Sequence, residues 1–122
     1  EFLDLGGKIF FEYLNSTLIR WYLRRSVPII TGLCSTYLYQ SIREFGVNGD
    51  EDDVRGEPSG HFVVLSGYDK AARTISVADP YHQNPVAGEH YYKVNIDRVL
   101  CAILLGVLTH DANFLIIQPR KK

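Results

Sequence analysis

His61-Phe62-Val63-Val64-Leu65-Ser66-Gly67-Tyr68 and Thr74-Ile75-Ser76-Val77-Ala78 flank the polar stretch Asp69-Lys70-Ala71-Ala72-Arg73. The first run carries Val63 and Val64 and the second Ile75 and Val77, whose branched side chains suit a pleated surface. The second run alternates apolar and polar residues, the signature of a strand with one buried face. Two such runs around a short polar turn predict a β-hairpin. Asp79-Pro80 ends the second strand, because proline has no N–H to continue the ladder.

Working outward, Pro28-Ile29-Ile30-Thr31-Gly32-Leu33 reads as a buried strand with proline at its first position. It is expected to lie antiparallel to His61–Tyr68. Asn15 or Ser16 caps a predicted helix to about Arg25, with Leu18, Ile19, Tyr22 and Leu23 on its apolar face. Arg20, Arg24 and Arg25 form a solvated basic face near its C-terminal half, where cations suit the helix dipole. The spacing of Leu38, Ile42 and Phe45 predicts a short helix after Cys34. Lys8–Leu14 is apolar without a period, so helix and strand both stay open.

Beyond the hairpin, Tyr81–Glu89 reads as a loop and Tyr91–Val94 as a short strand. Asn95 caps a helix from Ile96 to about Gly106, with Val99, Ile103 and Leu104 inward. Asn113–Gln118 closes as a last strand, and Arg120-Lys121-Lys122 is a basic tail. Helix, strand, helix and then mostly strands on short connections define an α+β class with an antiparallel sheet and flanking helices.

Composition agrees with one folded domain over residues 1–122. Hydrophobic residues make up 46% and charged residues 22%, which argues against disorder. A net charge of −1 removes the overall electrostatic case for nucleic acid binding. The longest apolar run, Val99–Leu108, is too short to span a bilayer. No secretory signal pattern opens the chain. Two cysteines, Cys34 and Cys101, are too few for a disulfide framework, and free thiols in a reducing, cytoplasmic setting are expected. The chain contains no Met, so a further segment is expected upstream of Glu1.

Metal chemistry finds little support. Gly46–Gly60 is expected to be a mobile acidic loop, lid-like in its placement. Asn48, Asp50 and Asp52 alternate as in a calcium loop, but Asp53 stands where glycine is needed and Ser59 where the bidentate glutamate is needed. His82, His90 and Asp79 match no ligand spacing. No cofactor is expected. Trp21 and the tyrosines at 37, 39, 91 and 92 are read as packing residues.

The chemistry gathers at two strand ends. His61 opens the first hairpin strand and Asp79 follows the second, so an antiparallel hairpin brings them to one edge. A carboxylate beside an imidazole fixes its tautomer and stabilises its cation, which is the orienting half of a nucleophile–base–orienter triad. Solubility and turn formation alone also explain a His and an Asp at such positions. His82 lies near the same edge and is placed to touch a substrate.

The run Gly60–Asp69 followed by Ile75-Ser76-Val77-Ala78-Asp79-Pro80-Tyr81 resembles the second half of peptidase C39-like domains, in the papain-like cysteine peptidase superfamily. The shared pattern is a His opening an apolar strand that ends in Gly-Tyr, then a strand ending in Asp-Pro. Arg25–Leu33 resembles the strand before it, and the likeness extends over about residues 16–119. It implies a papain-like antiparallel sheet, His61 as general base, Asp79 as its orienting partner, and no cofactor. The family places its nucleophilic Cys upstream, at a helix start, after a Gln that helps form the oxyanion hole. No Gln-then-Cys segment stands before His61 here, so the nucleophile is expected before Glu1 or the domain lacks one.

Cys34 is the other candidate nucleophile. The order Cys34, His61, Asp79 matches the superfamily, and the end of the first strand should approach His61. By resemblance its position lines the substrate cleft instead. Cys101, among Leu100, Ala102 and Ile103, reads as core. Three functions follow: a cysteine peptidase acting on a peptide or protein substrate, a peptide-binding domain without turnover, or a papain-superfamily acyltransferase or transglutaminase-like enzyme. No partner surface is evident, so the oligomeric state stays open.

Overall fold

A computed structural model of the chain describes residues 1–120. In chain order the elements are α1 (Ser16–Leu23), β1 (Ile29–Cys34), α2 (Ser35–Tyr39), β2 (Glu44–Phe45), β3 (Asp50–Glu51), β4 (Gly60–Asp69), β5 (Thr74–Ala78), β6 (Tyr91–Asn95), α3 (Ile96–Leu105) and β7 (Phe114–Ile116). A single turn of 3₁₀ helix, Gly106–Thr109, links α3 towards β7. The main sheet has the order β6-β5-β4-β1-β7, and each neighbouring pair is antiparallel. The fold is α+β, with helices flanking an antiparallel sheet. Among the described residues no helix is long and apolar enough to cross a membrane.

The core lies where α1 and α3 meet one face of the sheet. Ile19 and Leu23 of α1, Val99, Ala102 and Ile103 of α3, and Ile29, Leu33, Val63, Leu65, Ile75 and Val77 of the strands are all buried. Each strand contributes alternate residues, as a half-covered sheet requires. The other face carries Ile30, Phe62, Val64, Ala78 and Tyr91 around a groove of about 370 Å³.

Local capping follows the sequence. The Asn15 side chain accepts a hydrogen bond from the Leu18 N–H at 2.9 Å, and that of Asn95 accepts from the Asp97 N–H at 2.8 Å. Each satisfies a donor that the first turn of a helix leaves free.

Several expectations change. Residues 8–14 form neither helix nor strand, and Phe10, Phe11 and Tyr13 are exposed. α1 ends at Leu23. α2 stops at Tyr39 because Gln40 turns left-handed, so Ile42 and Phe45 leave the helix and are exposed. The acidic loop contributes β3, which pairs with β2 just before the loop, Glu51 opposite Glu44. It is fastened by Arg43 to Asp53 and by Arg55 to Asp52, the latter at 2.7 Å. Leu104 is exposed, since α3 turns that position away from the sheet. Of the basic tail, residues 121 and 122 lie outside the described residues.

One irregularity decides the register of the central hairpin. From the turn, Asp69 pairs with Thr74, Tyr68 with Ile75 and Gly67 with Ser76, but then Leu65 pairs with Val77 and Val64 with Ala78. Ser66 is therefore an extra residue, a β-bulge. Beyond it the odd-numbered residues of β4, not the even ones, face the core. That shift puts His61 on the same face as Ile75, Val77 and Asp79. Had the ladder run on without the bulge, Val64 would oppose Asp79, and His61 would face the other way.

Candidate active site

Asp79 sits one residue past β5, with its side chain wholly out of solvent. Continuing the register sets it opposite Val63, diagonal to His61 on the same face. Its Oδ1 accepts from His61 Nε2 at 2.7 Å and from the Tyr81 backbone N–H at 2.8 Å. Its Oδ2 accepts from the hydroxyls of Tyr39 and Tyr92, each at 2.7 Å. The Tyr81 bond is an Asx turn, a local preference of aspartate before a turn, and it holds the carboxylate rotamer.

The Asp79 backbone is tied as well. Its N–H donates to the His90 carbonyl at 2.7 Å, and its carbonyl accepts from His90 Nδ1 at 2.8 Å. Asn84, buried in the same loop, donates from Nδ2 to the carbonyls of Tyr81 and Glu89, both at 2.8 Å. Its Oδ1 accepts from the backbone of Val86 and Ala87. Asn84 thus gives a loop of nine residues a fixed shape, and that shape delivers His90 to Asp79.

Burial pushes the Asp79 carboxyl upward, but hydrogen bonds from His61, Tyr39, Tyr92 and Tyr81 outweigh it and hold the carboxyl below the usual range. Asp79 is therefore an anion at neutral pH. The phenols of Tyr39 and Tyr92 are pushed well above their ordinary value, first by burial and then by their bonds to Asp79. They stay protonated donors at any working pH.

An ionised carboxylate only accepts, so His61 Nε2 carries a hydrogen towards it. In the neutral ring Nδ1 then holds the free lone pair. The His61 side chain is about one quarter exposed, so this nitrogen sits in a ring that solvent reaches. The arrangement can take a proton at Nδ1 and stabilise the resulting imidazolium through Asp79.

The structure brings His61 and Asp79 together and leaves Cys34 apart. Leu33 pairs with His61 and Cys34 with Gly60, so alternation turns the Cys34 side chain to the opposite face from His61. Cys34 is buried there and lines a separate cavity of about 440 Å³ with Tyr37, Arg43, Asp53, Leu105 and Leu108. The strand end approaches His61 as expected, but with Leu33 on its side. Cys101 is half-buried, and both thiols are free. His82 is exposed and stands edge-on to His90, with ring centroids 5.0 Å apart. Among the described residues no group of three His, Cys, Asp or Glu side chains is set to hold a metal.

Sequence reasoning missed four residues of the site. Tyr39 and Tyr92 read as packing, Asn84 as a loop residue, and His90 as a histidine beside that loop whose spacing from His82 and Asp79 matches no metal site. The only available signal was their closeness in the chain to Asp79 or to a strand expected beside it.

The geometry sets an aspartate-bound histidine at one end of an antiparallel hairpin, and a comparison of the sequence with known families places the chain. The sequence model of the Peptidase_C39 like family matches residues 13–99, which is most of the chain. The chain belongs to that family. No curated protein and no solved structure matches it significantly.

Proposed function

We propose that this chain is a single C39-like domain, the sheet-bearing part of a cysteine peptidase that hydrolyses a peptide or amide bond. The observation that carries the reading is the His61–Asp79 pair, with Nε2 bound to the carboxylate and Nδ1 free. His61 is the general base and Asp79 its orienter. The nucleophilic thiol comes from a segment outside these residues, because Cys34 faces away from His61. His82, exposed near the site, contacts the substrate.

In this mechanism His61 Nδ1 takes the thiol proton, and the thiolate attacks the carbonyl carbon. The C–N bond breaks, the leaving amine receives the proton from His61, and a thioester remains. Water then gives its proton to Nδ1 and attacks the thioester. The C–S bond breaks, the acid leaves, and the proton returns to the thiol. Asp79 stays ionised throughout and offsets the imidazolium each time it forms.

The test is peptide hydrolysis by the natural polypeptide that contains these residues, with circular dichroism to verify folding. His61→Ala is expected to lower turnover by about 10²–10⁴-fold, the range for a general base. Asp79→Asn is expected to lower it with the fold intact. An unchanged rate for His61→Ala would sink the proposal. A second reading, a peptide-binding domain without turnover, is favoured by the separation of Cys34 from His61. It predicts that peptide binds the natural polypeptide while thiol alkylation changes nothing.

A further inference from the structure

Two phenols donate to one carboxylate oxygen, and they come from different elements. Tyr39 ends α2 and Tyr92 lies in β6, yet both hydroxyls reach Asp79 Oδ2 at 2.7 Å. A buried phenol needs only one acceptor, and any backbone carbonyl would serve. Here two phenols fill Oδ2, and the other oxygen is left to His61 and the Tyr81 N–H. The Tyr39 ring also stands against both the His61 and Tyr81 rings, with centroids 6.2 and 6.3 Å apart.

We infer that Tyr39 and Tyr92 are positioning residues for the His61–Asp79 pair, holding the Asp79 carboxylate ionised and aimed at His61 Nε2. The role in catalysis rests on the reading proposed above; the effect on Asp79 does not. Charge-assisted hydrogen bonds are about twice as strong as neutral ones, so two phenols stabilise a desolvated anion that His61 and one backbone N–H would serve less well.

The groups that face this anion are few. His61 approaches from β4, Tyr39 from α2, Tyr92 from β6, and Tyr81 from the following loop. His90 is bound to the Asp79 carbonyl, with His82 beyond it. Arg98 of α3 lies close enough to favour the ionised form of Tyr92. It also donates to the Leu38 carbonyl, which ties α3 to the helix that carries Tyr39.

The experiment follows the Asp79 side-chain carboxyl by ¹³C NMR against pH, in the wild type, Tyr39→Phe, Tyr92→Phe and the double variant. Each phenylalanine removes a donor to the charged form, so the Asp79 midpoint should move upward by about half a unit or more per hydroxyl. The double variant should move furthest. His61 should also lose its fixed Nε2–H tautomer in the side-chain ¹⁵N spectrum. A role in packing alone would lower the unfolding midpoint and leave the Asp79 titration in place, and that result would overturn the inference. Should Tyr92→Phe not fold, Tyr39→Phe, at a partly exposed position, decides alone. In the natural polypeptide the same variants should lower kcat more than they raise KM. If His61→Ala abolishes turnover while the tyrosine variants leave Asp79 unmoved, this inference fails and the catalytic reading stands. If His61→Ala leaves turnover intact, the catalytic role of the tyrosines falls with that reading.

Discussion

Replacing Asp79 by alanine should destabilise the domain by about 2–4 kcal/mol at pH 7. The magnitude follows from four donors that lose their acceptor: His61 Nε2–H, the Tyr81 N–H and the hydroxyls of Tyr39 and Tyr92. An orphaned buried donor costs about 1–3 kcal/mol. The Tyr92 hydroxyl is buried and bears the full cost, while the other three lie at partly buried sites where water recovers part of it. Removing a desolvated carboxylate returns some energy, which keeps the net below the sum. Asp79→Asn retains an acceptor oxygen and should cost only about 1–2 kcal/mol. Urea unfolding of the three proteins, followed by circular dichroism, measures the difference at constant slope. A loss below about 0.5 kcal/mol for Asp79→Ala would mean that these bonds stabilise no more than exposed contacts with water do, and the network would lose its physical basis.

Three other outcomes follow from the same geometry. Because the Asp79 carboxyl is held below its usual range, its contribution to stability is present above the unfolded-state value of about 3.9 and is lost as the pH falls through the lower folded value. The stability gap between wild type and Asp79→Asn should therefore shrink as urea titrations move from pH 6 to pH 3. Leu65→Ala, at a position with no solvent exposure beneath α1 and α3, should cost about 2–5 kcal/mol in the same assay, and a cost below 1 kcal/mol would misplace the core. Deleting Ser66 removes the unpaired residue and leaves Gly67 opposite Ser76, Leu65 opposite Val77 and Val64 opposite Ala78 in one regular ladder, so both the core pairing and the His61–Asp79 contact should survive. The His61 Nε2–H signal should persist in the folded deletion variant, whereas an inserted residue that pairs beyond Leu65 should abolish it; loss of the signal on deletion with the fold intact would refute the register argument.

Much of this fold is legible in the residues themselves. The alternation in Thr74–Ala78 and the apolar run before Tyr68 define the hairpin, and Asn15 and Asn95 cap the helices that their side chains start. What stays hidden is set at longer range. A bulge is one unpaired residue, and Ser66 has no composition that announces it; only the adjacent Gly67 hints at an irregular strand. Without the bulge, the parity of His61 relative to Asp79 comes out wrong even when the strands are right. The sidedness of Cys34 depends on its pairing with Gly60, a register fact that chain order cannot supply. Tyr39 and Tyr92 read as packing because a packed tyrosine and a hydrogen-bonding tyrosine look alike in sequence. The α2 end escaped because Gln40, at φ 53°, adopts a conformation that residue type alone does not favour. The His–Asp pair was visible because the two residues mark strand ends of one hairpin, and hairpin ends meet whatever the details of the turn.

Asp79 binds His61 through Nε2, and the proposed mechanism needs Nδ1 as the reacting nitrogen. Long-range ¹H–¹⁵N NMR of the His61 side chain tests it directly, at a pH where the ring is neutral. The wild type should show the Nε2–H tautomer with Nδ1 bare, and Asp79→Ala a mixture of tautomers. An Nδ1–H tautomer in the wild type, or one unmoved by Asp79→Ala, would contradict it.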